Sequence, residues 1–202
     1  MTITYEYGKN LYVNTTNRCT CACTFCIRSY GDGVGSASSL WLEREPTREE
    51  ILADIQARDL SRYQELVFCG YGEPSYRLED ILWVCHQLKP QISLPIRMDT
   101  NGHGNLIHGR DVTPEIKGWI DTLSISLNRS TEAEYNEIVR PHVPGAFAAM
   151  QDFTRRAVAN GIRVIMTVVD NMDPAEIERC RVMCEQDLGA VFRVRQFSED
   201  WQ

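Results

Sequence analysis

Asn17-Arg18-Cys19-Thr20-Cys21-Ala22-Cys23-Thr24-Phe25-Cys26-Ile27-Arg28 holds four of the chain's eight cysteines within eight residues. The segment Leu11 to Thr15 before it reads as a strand, so the cysteines leave that strand's C-terminal end. Taken as Cys19, Cys23 and Cys26, the spacing is C-x3-C-x2-C, with the aromatic Phe25 just before the last thiol. Three neighbouring thiolates hold a soft metal centre. Three ligands rather than four leave a position open, which points to chemistry rather than to a structural staple.

Outward from this stretch the chain alternates strand with helix. Strands are expected at Leu66 to Cys69, Pro95 to Asp99, Thr122 to Leu127, Arg163 to Val169 and Val191 to Phe197. Helices are expected after the capping box Thr47-Arg48-Glu49-Glu50, over Leu78 to Leu88, at Thr113-Pro114, after Thr131, over Gly145 to Asn160, and after Asp173-Pro174. Such alternation implies a parallel sheet with right-handed crossovers. A closed eight-unit barrel needs ~250 residues. Six units therefore predict an α/β fold, a partial (β/α)6 barrel, forming one domain over residues 1–202. The stretch Tyr30 to Thr47 reads as a long connection, serving as a lid or a plain connector, with Leu40 and Trp41 pinning its end.

Composition narrows the function classes. The chain has 202 residues, 43% hydrophobic and 24% charged, which is ordinary for a globular domain. A net charge of −7 argues against nucleic acid as a partner. No run is apolar enough to span a membrane, and Met1 to Tyr7 lacks the features of a secretory signal. A cytoplasmic location is expected, where eight cysteines point to thiol or metal chemistry rather than a disulfide framework. Cys69, Cys85, Cys180 and Cys184 read as core packing.

In such folds function gathers at the C-terminal strand ends. There the sequence places the cysteines, Gly70-Tyr71-Gly72-Glu73-Pro74, Asp99-Thr100-Asn101-Gly102, the alternating Ser124, Ser126 and Asn128, and Arg193 with Arg195. C-x3-C-x-aromatic-C after one strand and G-x-G-E-P after the next resembles the radical S-adenosylmethionine (SAM) superfamily. Leu11 to Asn14, Leu40 to Thr47 and Ser126-Leu127-Asn128 more narrowly resemble the TatD-associated radical SAM proteins.

The resemblance implies a [4Fe-4S] cluster on Cys19, Cys23 and Cys26, with SAM on the fourth iron. It implies Phe25 near the adenine, and Gly70, Gly72, Glu73 and Pro74 around the methionine moiety. Asp99 and Asn101 are placed toward the ligand by their strand-end position. Ser126 and Asn128 are placed toward ribose or carboxylate, with Ser124 on the same strand face as a ligand contact or a barrel-interior residue. Val168 and Val169 are placed toward adenine, and Arg195 toward the SAM carboxylate or an anionic substrate. It implies reductive SAM cleavage and hydrogen abstraction from an unidentified small-molecule or protein substrate, with a flavodoxin or ferredoxin as reductant. The Asp99 to Gly102 run is also similar to glycyl-radical-enzyme activases, where two aspartates help form a monovalent-cation site; here the second position is Ser126. Ser126-Leu127-Asn128 with Tyr135, Ile138 and Arg140 resembles the S-L-D segment of molybdenum-cofactor-type relatives, with Asn128 in place of aspartate. Cys21 is read as a non-ligand. The competing assignments are an activase acting on a partner protein, and a non-enzymatic zinc or iron-sulfur protein using all four thiols.

Overall fold

The first strand of the expected barrel has an antiparallel partner. The computed structural model describes residues 1–197. In it Thr4–Tyr7 (β1) and Asn10–Val13 (β2) form a hairpin in the register Thr4↔Val13 and Tyr7↔Asn10. Gly8, at φ 59°, takes the left-handed conformation of the turn. Tyr5 stacks on Tyr12 at 5.3 Å and fastens the pair. The sequence signal was an aromatic, β-prone run closed by glycine, and the expectation above overlooked it.

Five further strands add in parallel: Leu66–Phe68 (β3), Ile96–Thr100 (β4), Thr122–Ser126 (β5), Arg163–Val169 (β6) and Val191–Arg195 (β7). The sheet runs β1-β2-β3-β4-β5-β6-β7 without closing, so the six parallel strands make the partial barrel expected. Its helices are Arg48–Gln56 (α1), Leu78–Leu88 (α2), Gly104–His108 (α3), Thr113–Ile116 (α4), Glu132–Val139 (α5), Ala146–Ala159 (α6) and Pro174–Val182 (α7). The capping box at α1 is complete: Glu50 N donates to Thr47 Oγ1 at 3.2 Å, and Thr47 N to Glu50 Oε2 at 2.8 Å. Among the described residues no helix is long and apolar enough to cross a membrane.

Strand register sorts the side chains into two faces. Leu11, Leu66, Ile96, Met98, Leu123, Ile125, Val164, Met166 and Val168 face the helices and join Ile51, Ile81, Met150, Phe153 and Cys180 in one core. The opposite rows carry Tyr12, Arg97, Asp99, Ser124, Ser126, Thr167, Arg193 and Arg195 on the concave side.

Two expectations change. Tyr30 to Thr47 is packed against the hairpin: Leu40 is fully buried with Tyr5, Val34, Ala37 and Tyr71, and Trp41 Nε1 donates to Asp32 at 3.1 Å. Cys85, Cys180 and Cys184 are core residues, but Cys69 lies outside the core, at the concave end of β3.

Candidate active site

The cysteine loop is tied down on both sides. On one side Ala22 N donates to Val139 O at 3.2 Å and Thr24 N to Ile138 O at 2.9 Å, while His142 N reaches Thr20 O at 2.8 Å. The end of α5 and the segment after it therefore brace the loop. On the other side Glu73 N donates to Arg18 O at 2.7 Å, and the Arg18 guanidinium pairs with Glu45 at 2.7 Å.

The glycines of Gly70 to Pro74 serve this close approach. A Cβ on Gly72 would stand 2.3 Å from Thr16 O and 2.6 Å from Arg18 O. One on Gly70 would stand 2.0 Å from Asn14 Oδ1. A side chain at Gly72 would push the cysteine loop off its support, and one at Gly70 would displace the Asn14 side chain. Cys19, Cys23 and Cys26 are half-buried free thiols, whereas Cys21 is buried. Hydrogen bonding with Cys21, then burial, holds the Cys19 thiol well above its ordinary value. Cys21 is drawn down by Cys19 and pushed up by Cys23 and burial, ending at about 12. Ligation must displace such protons.

Glu73 is 4% exposed, and both of its carboxylate oxygens accept hydrogen bonds. It accepts from Thr100 Oγ1 at 2.6 Å, Asn101 N at 2.7 Å and Ser75 N at 3.1 Å. Burial pushes its pKa up, and those hydrogen bonds oppose the rise. Glu73 thus straps the end of β3 to the end of β4. Asn101 turns its amide toward the cysteines: Nδ2 donates to Thr20 Oγ1 at 2.8 Å and reaches Cys19 Sγ at 3.9 Å. Phe25 is half-buried within the loop.

The other candidates lie further round the rim. Asn128 is buried in the left-handed conformation, φ 66°, and its Oδ1 has no hydrogen-bond partner. Ser124 is buried and Ser126 half-buried on the concave face of β5. Val168 packs in the helix-side core, so only its backbone faces the rim, whereas Val169 lies on the concave side, paired with the exposed Arg195. Asp99 Oδ1 stands 3.5 Å from Arg97 Nε and makes no hydrogen bond. Burial raises Asp99, while Arg97 and Arg195 oppose the rise.

The structure therefore joins the cysteines, Gly70 to Pro74 and Asn101 into one hydrogen-bonded unit. Ser126, Asn128, Val169 and Arg195 make no hydrogen bond to that unit. Sequence reasoning did not foresee that Thr20, His103 and Tyr135 meet beneath the loop. Thr20 was visible inside the motif, but nothing local announces its partners.

The donor set fits a cluster. Three thiols free of disulfides share one loop at the strand ends, close beside two glycine cradles. Among the described residues no three Cys, His, Asp or Glu side chains converge as ligands of a single ion. A four-iron cluster takes each thiolate on a separate iron and does not require such convergence.

The family model of the radical SAM superfamily matches residues 13–181. No curated protein matches the sequence. Among solved structures, SuiB from Streptococcus suis bound to precursor peptide SuiA is 15% identical with a TM-score of 0.69, over 96% of this chain and 40% of that one. Methylornithine synthase (PylB) is 16% identical with a TM-score of 0.65, over 94% and 53%. HydG, a maturase of the [FeFe]-hydrogenase, is 16% identical with a TM-score of 0.64, over 95% and 44%. The chain thus spans about half or less of the length of these neighbours, and identities this low speak to fold alone.

Proposed function

The chain belongs to the radical SAM superfamily, and we propose that it is a radical SAM enzyme in which Cys19, Cys23 and Cys26 hold a [4Fe-4S] cluster and Cys21 does not. A reduced cluster held by these thiolates would supply one electron for reductive cleavage of SAM, and with it the means to abstract hydrogen from substrate. The observation that carries the assignment is the bracing of one three-thiol loop by Glu73, Asn101 and the end of α5 at the strand ends.

The protein's own groups then have distinct tasks. Gly70 and Gly72 let the strand-end turn lie flat beneath the loop. Glu73 holds that turn to β4 and, with the neighbouring carbonyls, is placed to receive the SAM ammonium group. Asn128 Oδ1, buried without a partner, is an acceptor for a ribose hydroxyl or the SAM ammonium. Ser126 adds a hydroxyl, and Phe25 and Val169 add apolar surface for adenine. Arg195 offers its exposed guanidinium to a carboxylate of SAM or substrate. A flavodoxin or ferredoxin is the reductant in this reading, and the substrate is a small molecule or a protein presented to the open barrel.

Anaerobic reconstitution, reduction and incubation with SAM test it. Wild type forms 5'-deoxyadenosine and Cys23→Ala does not. Equal product from Cys23→Ala removes the ligand assignment, and one zinc without sulfide in the purified protein removes the radical chemistry.

A further inference from the structure

A chain of hydrogen-bonded side chains runs beneath the cysteine loop, and the tasks above leave it without one. His103 is fully buried on the segment after β4. Its Nε2 lies 3.0 Å from the Tyr135 hydroxyl of α5, and its Nδ1 lies 2.8 Å from Thr20 Oγ1. Thr20 Oγ1 accepts from Asn101 Nδ2 at 2.8 Å. The same Nδ2 stands 3.6 Å from Cys21 Sγ and 3.9 Å from Cys19 Sγ. Asn101 is fixed at its other end too, since its Oδ1 accepts from His103 N at 3.0 Å.

A carboxamide turns easily about its last torsion, and its two orientations differ in chemistry. One presents N–H donors to a sulfur, the other a carbonyl oxygen. Burial of His103 holds its pKa down to about 4, so the ring is neutral and bonds as donor at one nitrogen and acceptor at the other. Thr20, held by that ring, is positioned to take the Asn101 amide hydrogen. The oxygen is claimed by the backbone of His103. Only the donor orientation satisfies both contacts.

We propose that Tyr135, His103 and Thr20 are positioning residues that lock the Asn101 carboxamide as an N–H donor toward the adjacent sulfurs of Cys21 and Cys19, and that its contact with Cys19 raises the reduction potential of the cluster bound there. The reason is electrostatic. Reduction adds negative charge to the cluster and its thiolates, and a fixed N–H aimed at a sulfur stabilises that charge. A donor held in place before the electron arrives costs no reorganisation. The inference rests on the assignment of Cys19 as a ligand.

The test is a redox titration of the reconstituted protein, followed by the electron paramagnetic resonance signal of the reduced cluster. At the wild-type midpoint, Asn101→Ala is expected to lower the reduced-to-oxidised ratio by about tenfold, the shift one hydrogen bond to a charged group produces. His103→Phe lowers it less, in the same direction, and His103→Gln, which can donate and accept, restores most of the loss. Asn101→Asp keeps the shape, replaces the donor with an acceptor, and lowers the ratio furthest. An unchanged ratio in Asn101→Ala or Asn101→Asp, with a full cluster present, overturns the relay alone. A wild-type protein that assembles no cluster overturns the ligand assignment and the relay together.

Discussion

The two faces of strands β4 to β6 differ in how completely they are satisfied. On the helix side Met98, Leu123, Ile125, Met166 and Val168 are wholly buried among apolar neighbours. On the concave side Arg97 Nε is ion-paired with Asp99 Oδ1 at 3.5 Å without a hydrogen bond, and at the rim Asn128 Oδ1 has no hydrogen-bond partner at all. One strand thus builds a core with one set of residues and a binding surface with the other. The helix side stabilises the fold. The concave side gives up stability, because a buried polar atom without a partner costs roughly 1–3 kcal/mol. That cost is recoverable by a ligand that supplies the missing partner.

Substitutions can break this contrast. The largest effect is expected on the helix side, where Phe153→Ala should lower unfolding free energy by about 3–5 kcal/mol in denaturant titration. A loss no greater than that of Ser124→Ala on the concave side would erase the distinction. Next comes Glu73→Ala, which strands three donors held by the carboxylate and should cost roughly 3 kcal/mol. Because Glu73 straps the rim, the same variant should also lose cluster-loading capacity, read as bound iron.

A similar size is expected from acid. His103 titrates at about 4 in the folded chain against 6.5 for the free side chain. Its folded pKa is depressed, so the unfolded state takes up the proton first. The stability from a neutral His103 is present above pH 6.5 and is lost as pH falls toward 4, by up to roughly 3 kcal/mol. Comparing wild type with His103→Gln across that window isolates the contribution; parallel curves would contradict it.

The smallest effect is expected at Asn128. Its φ of 66° suits glycine. Asn128→Gly should therefore leave the unliganded protein within about 1 kcal/mol of wild type. Its affinity for SAM should fall, as measured by equilibrium binding to the reconstituted protein. Unchanged affinity would remove Asn128 from the binding surface.

The same contrast explains what could be read from the sequence. Strands and helices of the core were legible because Leu66 to Phe68, Leu78 to Leu88 and Arg163 to Val169 carry their period and caps locally. The cysteine motif and the glycines after β3 were legible for the same reason. What stayed hidden is long-range. Glu73 looks free in the sequence, yet it accepts hydrogen bonds from Thr100 and Asn101 of the next strand and its end. Nothing near His103 in the sequence announces that it is buried between Thr20 and Tyr135. Cys69 looked like core, but strand register turns it to the concave side. The packing of Tyr30 to Thr47 depends on the hairpin, which the strand–helix alternation does not encode.

The central claim is that three of the four clustered cysteines hold the cluster and Cys21 stands aside. Iron and acid-labile sulfide, assayed after anaerobic reconstitution of single Cys→Ala variants, address it most directly. Wild type and Cys21→Ala should each bind about four of both per chain, while Cys19→Ala, Cys23→Ala and Cys26→Ala fall well below that. Loss of the cluster in Cys21→Ala, with any one of the other three retaining it in full, would contradict the account.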